Sequence, residues 1–435
     1  MLVSPKKVFG AKEIPGEQQG PMLVDDKGRV RWFQPLTGGE DAYDFRVSRY
    51  HGRPALTWWQ GRALAGSGKG VGVIYDSDYQ PRARVETATG ADADIHEFRL
   101  TDRGTALMLV YQTGIPRDLR SLGGKKDGKV VDGVVEEIDL DTGKVVFEWH
   151  TLDHISLAES YEPLKRLYLD SWDYVHLNSV DVDTDGNLLV SSRHTWTIYK
   201  IDRKTGEIIW RLGGKRSDFQ ISGDLRFAWQ HDARAEPGGR IRIFDNAAAA
   251  KPVRPASRVI TVEVDPQGKT ASLVSSVEHP DKLSAGTQGN AQRLPGGHTF
   301  VGWGSQGRFS EFDERGQLLF DARVQGGYDT YRAYREPWHG TPRGDPALAL
   351  ERRGGKTTAY VSWNGSTAVQ RWQVLTGSSP DALRPTGGPV EWKGLETTVP
   401  VSDPDRYVAV RALDGDGKVI GRSQAERVPS TTPSS

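Results

Sequence analysis

Cysteine is absent from all 435 residues. That excludes disulfide frameworks, thiolate zinc sites and cysteine nucleophiles. There is no surplus of either charge, with 57 Lys+Arg against 57 Asp+Glu. A nucleic-acid binder or a polybasic membrane anchor needs excess cation, so both are disfavoured. No run of 18 apolar residues occurs, so no helical membrane span is expected. Met1 opens directly into Leu2-Val3-Ser4-Pro5 without a basic segment and apolar core, so no signal peptide is expected. Walker A and G-x-S-x-G sequences are missing, and Gly66-Ser67-Gly68-Lys69-Gly70 reads as a loop. What is abundant is Gly (50), Pro (24), Trp (13) and Tyr (14), a composition of short strands and tight turns.

One pattern recurs: an apolar run, Asp, a few polar residues, Gly, then a second alternating run. It occurs at Asp25–Gly28, Asp139–Gly143, Asp202–Gly206, Asp265–Gly268 and Asp313–Gly316, with a degenerate copy at Asp76-Ser77-Asp78. Asp accepts backbone N–H bonds and Gly supplies positive φ, so these are hairpin turns. The anchors at 25, 76, 139, 202, 265 and 313 are spaced by 51, 63, 63, 63 and 48 residues. Six near-regular copies of a meander predict a β-propeller, each blade burying its apolar face against its neighbours. Second hairpins fall at Asp183–Asn187, Glu236–Gly239 and Leu294–Gly297. Residues 113–133 and 154–172 read as insertions, the second with a short amphipathic helical spacing at Leu157, Tyr161, Leu164 and Leu167.

The character changes near Trp338–Pro342. Residues 343–428 read as a small β-sandwich of fibronectin type III or immunoglobulin-like kind, with strands at 359–363, 369–375, 397–401 and 407–413. Tyr407 is expected at a tyrosine corner and Trp363 in the core. Residues 1–342 are then the propeller, and 429–435 a disordered tail.

Among ten histidines, three occupy comparable places in the repeat. His96 lies in Asp94-Ile95-His96-Glu97-Phe98, His176 in Asp173-Tyr174-Val175-His176-Leu177-Asn178-Ser179, and His231 in Phe227-Ala228-Trp229-Gln230-His231-Asp232-Ala233. Taken singly, each is better explained as a hydrogen-bonded structural residue. Three in equivalent positions point instead to a shared funnel, where convergent polar groups form a site. Three histidines also suit zinc, and spacing does not separate the two readings. Arg193, in Ser191-Ser192-Arg193-His194 at the end of the run Leu188-Leu189-Val190, calls for an anion or a carboxylate partner, its planar fork fitting a tetrahedral oxyanion.

The combined string resembles the bacterial aryl-sulfate sulfotransferases, in their actinobacterial branch. It comprises His176-Leu177-Asn178-Ser179, Asp183 to His194, Ile201-Asp202, Gly206 to Gly214, Gln230-His231-Asp232-Ala233 and Phe244-Asp245-Asn246, with an opening Gly20 to Asp25, Gly28 and Trp32. The resemblance covers roughly residues 5–340. It implies a six-bladed propeller that moves a sulfuryl group from an aryl sulfate to a phenol without a nucleotide sulfate donor, cofactor or metal. By motif, His231 is the transiently sulfated nucleophile. His176, Asn178 and Arg193 hold the sulfuryl oxygens, His96 is a further funnel histidine, and His194 lies on the substrate side. The family also implies export to the cell surface or medium. No counterpart of the N-terminal dimerisation domain of some members is expected, and the β-sandwich is expected as an addition. Two other readings stand beside this one: a metal-dependent hydrolase with His96, His176 and His231 as ligands, and a non-catalytic propeller binding an anionic ligand.

Overall fold

A computed structural model describes residues 1–8, 16–64, 66–88, 90–248 and 251–430. The chain is built almost wholly from antiparallel strands, and no helix among the described residues is long and apolar enough to cross a membrane. The tail expected beyond residue 429 lies largely outside the described residues.

Every anchor turn sits between the last two strands of a four-stranded meander. Asp139 and Asp202 each accept two following backbone N–H groups at 2.8–3.2 Å, and Gly143 and Gly206 take φ of 68° and 77°. Two anchors depart from the expected chemistry. At 265–268 the left-handed residue is Lys269 (φ 52°) rather than Gly268, and at 76–78 it is Tyr79 (φ 58°). The Asp side chain caps the turn in both, so the hairpin survives without glycine at that position.

The strands Leu177–Val182, Leu188–Ser192, Thr197–Ile201 and Ile208–Gly213 form one sheet, and Asn290–Arg293, Thr299–Gly302, Arg308–Phe312 and Leu318–Arg323 another. His231–Glu236, Arg240–Asp245, Arg258–Asp265 and Thr270–Glu278 form a third, to which Gln220–Ile221 adds an edge. A ten-stranded sheet contains two consecutive meanders, opened by Asp41–Tyr50 and Ala93–Leu100, which join where Gly70 pairs with Ala93. Within the Gly66–Gly70 run, Gly66 is a turn residue and Ser67–Gly70 is strand rather than loop. A Cβ on Gly70 would come within 2.6 Å of the Trp59 ring, so the glycine lets that buried indole lie flat on the neighbouring strand. Finally, Tyr328–Tyr334 pairs with Leu2–Lys7, from Leu2↔Tyr334 to Lys7↔Tyr328, followed by Met22–Val24 and Val30–Phe33. The end of the array is thus stitched to its beginning.

The two insertions differ from expectation. Residues 113–133 mostly prolong a hairpin, Thr105–Arg117 with Gly128–Asp139, around a short 3-10 turn. Residues 154–172 form no amphipathic helix. One α-turn, Thr151–His154, is followed by the 3-10 turn Leu157–Glu159 and two short strands. Pro163 and the β-region capping residues Ile155 and Ser156 stop the helix before it can propagate.

Beyond Ala347, a three-stranded and a six-stranded sheet share a core of Trp372, Trp392, Val361, Val399, Val408 and Val410. Trp363 is not central. It follows the end of Lys356–Ser362, is only partly buried, and its indole donates to the Gly344 carbonyl (2.7 Å), while Trp372 is fully buried in the middle. These sheets meet Val30–Phe33: the Arg31 guanidinium stacks on Trp392 at 3.4 Å, and Asn364 exchanges two 2.9 Å hydrogen bonds with the Phe33 backbone.

Candidate active site

The strands that open successive meanders bring the three repeat-related histidines together. The His96 and His176 rings lie 4.9 Å apart, and His176 and His194 4.8 Å. Tyr111 stacks on His96 (5.8 Å) and meets His176 edge-on (5.6 Å), while Tyr331 closes another side of His96. His96, His194, His231 and Arg193 are buried, and His176 nearly so. The backbone at the site is held in uncommon conformations. His176, Trp229 and Asp232 all have φ between 51° and 55°, each costing roughly 1–3 kcal/mol for a non-glycine residue. The strands bulge at Leu177/Ser179 and His231/Arg234, which turns the side chains at their starts inward.

Each imidazole is oriented through Nδ1. The Asp94 carboxylate accepts from His96 Nδ1, and Asp173 Oδ2 accepts from His176 Nδ1 at 2.6 Å. Both aspartates also accept the backbone N–H of their histidine, so ring and main chain are fixed together. His231 differs: its Nδ1 faces Asn246 Oδ1 at 2.7 Å. The Asn246 amide nitrogen donates to the carbonyls of Ala285 and Gln288, so its oxygen must face the ring. His231 Nδ1 therefore carries the proton, and Nε2 keeps a lone pair, approached by the Gln288 N–H at 3.3 Å. Burial, then the positive charge of Arg193 and the neighbouring His96, push the His231 pKa well below the usual range. Burial does the same to His176 and His194, with Arg193 and neighbouring histidines adding to it. The His231 imidazole is accordingly neutral near pH 7.

Arg193 has no carboxylate within 4.0 Å among the described residues. One face of its guanidinium lies 3.7 Å over the Trp229 ring, Nη1 donates to His194 Nε2 (3.0 Å), and Nη2 reaches the Gly286 carbonyl at 3.4 Å. Its Nε is buried without a partner. Burial lowers its pKa to about 10, so it remains cationic. His194 donates from Nδ1 to the Asp173 carbonyl (2.6 Å) and so acts as the brace for Arg193. Asn178 is fully buried and one amide N–H donates to the Gln230 carbonyl (2.7 Å), immediately before His231, while its Oδ1 has no partner.

Among the described residues, the trio whose ligand atoms lie close enough for a metal, within 4.8 Å of one another, is Asp173, His176 and His194, not His96, His176 and His231. Within that trio Asp173 already accepts from His176, and the Arg193 guanidinium points at His194, which sets a permanent cation against any divalent ion there.

Beneath the histidines is a buried charge cluster. Glu97 accepts from Arg46 (2.5 Å), Arg234 (2.8 Å) and Arg332 (3.1 and 3.3 Å). Asp44 pairs with Arg46 and Arg332, and Asp232 with Arg234. The sequence carries a signal for it: an acid-x-Arg triplet opens three meanders, at Asp44-Phe45-Arg46, Glu97-Phe98-Arg99 and Asp232-Ala233-Arg234. Asp94 and Asp173 were likewise readable as acids two and three residues ahead of a histidine. Trp229 as the platform for Arg193 carried no such signal.

A family model described as arylsulfotransferase (ASST) matches residues 46–325, well over half of the chain and inclusive of His96, His176, Asn178, Arg193, His194 and His231. No curated protein matches in sequence. Similar solved structures include a Bacteroides caccae protein of unknown function (11% identity, 76% of this chain and 97% of that one, TM-score 0.44). A streptogramin B lyase (9%, 78% and 82%, TM-score 0.39) is another. A third is an inactive variant of virginiamycin B lyase from Staphylococcus aureus with quinupristin (9%, 89% and 96%, TM-score 0.36).

Proposed function

The chain belongs to the arylsulfotransferase family, and from that premise we propose that it moves a sulfuryl group from an aryl sulfate to a phenol through a sulfated His231. In this reading residues 1–342 are a six-bladed propeller, 343–428 a fibronectin type III-like sandwich, and the protein works outside the cytoplasm as its relatives do. One observation carries the reading: a buried Arg193 without a carboxylate partner faces a group of neutral, oriented imidazoles. An uncompensated buried cation is costly unless an anion joins it, and its planar fork matches two oxygens of a sulfate ester.

The steps follow from the tautomers. The His231 Nε2 lone pair attacks sulfur, the S–N bond forms, and the S–O bond to the aryl group breaks with its electron pair leaving on the phenolate. The phenolate takes up its proton from the hydrogen-bonded pair of His176 and Asp173, whose carboxyl burial pushes up in pKa and so lets the pair hold the extra proton that a neutral His176 lacks, with His96 beside it. The acceptor phenol then returns that proton to the pair as its oxygen attacks sulfur and the S–N bond breaks. Sulfuryl transfer resembles phosphoryl transfer in its loose, in-line transition state, so positioning and charge stabilisation dominate. Arg193 and the second amide N–H of Asn178 bind the sulfuryl oxygens. Asn178 also fixes the backbone just before the nucleophile.

The test is release of 4-nitrophenol from 4-nitrophenyl sulfate with and without added phenol. Release should rise with phenol, with phenyl sulfate formed in equal amount. Release indifferent to phenol overturns the transferase in favour of a hydrolase. Replacing Arg193 by Gln should lower kcat/KM about 10²–10³-fold, the scale for removing an oxyanion donor. Arg193→Lys should recover little of it, because a point charge cannot stack on Trp229 and bridge two oxygens.

A further inference from the structure

A cleft of about 890 Å³ opens beside the site, lined among others by Trp196, Trp229, Arg166, Arg226, Lys251 and Arg254. Trp229 joins it to the reacting groups, since the same ring carries Arg193 and lies two residues before His231. The cleft wall is aromatic and cationic. Tyr161 stacks on Trp196 at 3.9 Å and 11°, Arg226 lies 5.7 Å over Trp196, and Lys215 4.8 Å over Tyr161.

Its charge is lopsided in a chain of zero net charge. Five cations line it, Lys165, Arg166, Arg226, Lys251 and Arg254, against the single carboxylate of Glu162. Glu162 is buried and already bound by Arg166 at 3.1 Å. Lys165, Arg226, Lys251 and Arg254 have no carboxylate within 4.0 Å among the described residues. The sulfate group of a simple aryl sulfate is met by Arg193, so these four cations exceed what that donor needs. The volume likewise exceeds a single phenyl ring and suits a ligand of drug size.

Resting on the transferase reading, we propose that this cleft selects aryl substrates whose ring system bears a second anionic group, a carboxylate or another sulfate, away from the reacting oxygen. The aromatic body lies against Trp196 and Trp229, and the distal anion meets Arg226 and Arg254. Donor and acceptor occupy the cleft in turn, so both share the preference.

Two measurements on the intact protein test this. With 4-nitrophenyl sulfate as donor, kcat/KM for 3-hydroxybenzoate should exceed that for phenol by about tenfold, a typical value for one charge-assisted contact in a partly desolvated site. The ratio should fall to near parity in Arg226→Gln/Arg254→Gln and shrink as salt is raised. Calorimetric titration of the turnover-deficient His231→Ala protein should show 3-carboxyphenyl sulfate binding about tenfold tighter than phenyl sulfate, a margin that the two Gln substitutions remove. Equal kcat/KM and equal or undetectable binding overturn the cleft proposal and leave the transferase standing. Selective binding without transfer to any acceptor does the reverse.

Discussion

Replacing His231 by Ala should abolish transfer, with kcat falling on the order of 10⁵–10⁶-fold, the scale of removing a covalent nucleophile. The reason lies in how its imidazole differs from the others. His96 and His176 are oriented by carboxylates on Nδ1, whereas His231 faces the neutral amide oxygen of Asn246, which fixes its proton on Nδ1. It therefore offers an unprotonated Nε2 beside a cation, which suits attack on an anionic ester whose charge Arg193 neutralises. Rapid quenching of the wild type with an aryl sulfate should leave one SO₃ group on the peptide containing His231 and none in the variant. Full activity without that adduct sinks the mechanism. The pH profile supplies an independent check. The pKa of His231 is depressed by burial and by Arg193, so Nε2 stays unprotonated at pH values where an ordinary histidine is half charged. The acidic limb of kcat/KM should thus lie below about pH 6.5, the value of an unperturbed histidine. A limb above it would mean that a protonated His231 forms in the free enzyme.

The meanders were legible because each depends on local chemistry, an Asp accepting backbone N–H groups between two alternating runs. That chemistry held even where Lys269 and Tyr79 took over the left-handed position from glycine. The convergence of His96, His176 and His231 was legible from their places in the repeat. Trp363 lies at the margin of the core rather than in its middle because strand alternation does not reveal where a strand stops, and one residue past the end the indole packs against the core only partly buried. The stretch from Leu157 to Leu167 carries a helical spacing, yet Pro163 and the extended residues 155–156 prevent a nucleus from growing. Arg193 could be seen to need a partner, but whether a carboxylate supplied it depended on packing between distant strands. The charge cluster under the histidines escaped notice because each acid-x-Arg triplet, taken alone, reads as a pair on a solvated strand. Closure of the array through Tyr328–Tyr334 is what sets Arg332 among them.

Removing the charge at the centre of that cluster should destabilise the protein by about 3–5 kcal/mol, the cost of breaking a buried ion pair from one side. Glu97 is fully buried, and three guanidinia and the Val180 N–H point at its carboxylate. Three cations, Arg46, Arg234 and Arg332, are balanced there by three anions, Asp44, Glu97 and Asp232. Glu97→Gln preserves the shape and leaves one buried positive charge uncompensated. The denaturant midpoint should fall accordingly, and a change below about 1 kcal/mol, the level of an exposed pair, would deny the cluster its structural role. Acid gives the same test with the sign fixed. Burial alone would raise the Glu97 pKa, but Arg234, Arg332, Arg46 and Arg99 outweigh it and hold the carboxyl well below the usual range. A depressed carboxylate contributes stability in full above its unfolded value, about 4.3, and loses it as pH falls further. The wild type should lose stability more steeply than Glu97→Gln below that value, by up to about 1.4 kcal/mol per pH unit for the one extra proton. The same loss should reach the reacting groups. The cluster joins strands that open four meanders, two of which carry His96 and His231, and Glu97 directly follows His96. A Glu97→Gln protein kept folded at low temperature should therefore transfer sulfuryl groups more slowly at saturating donor, because the spacing of the imidazoles rests on the charges beneath them.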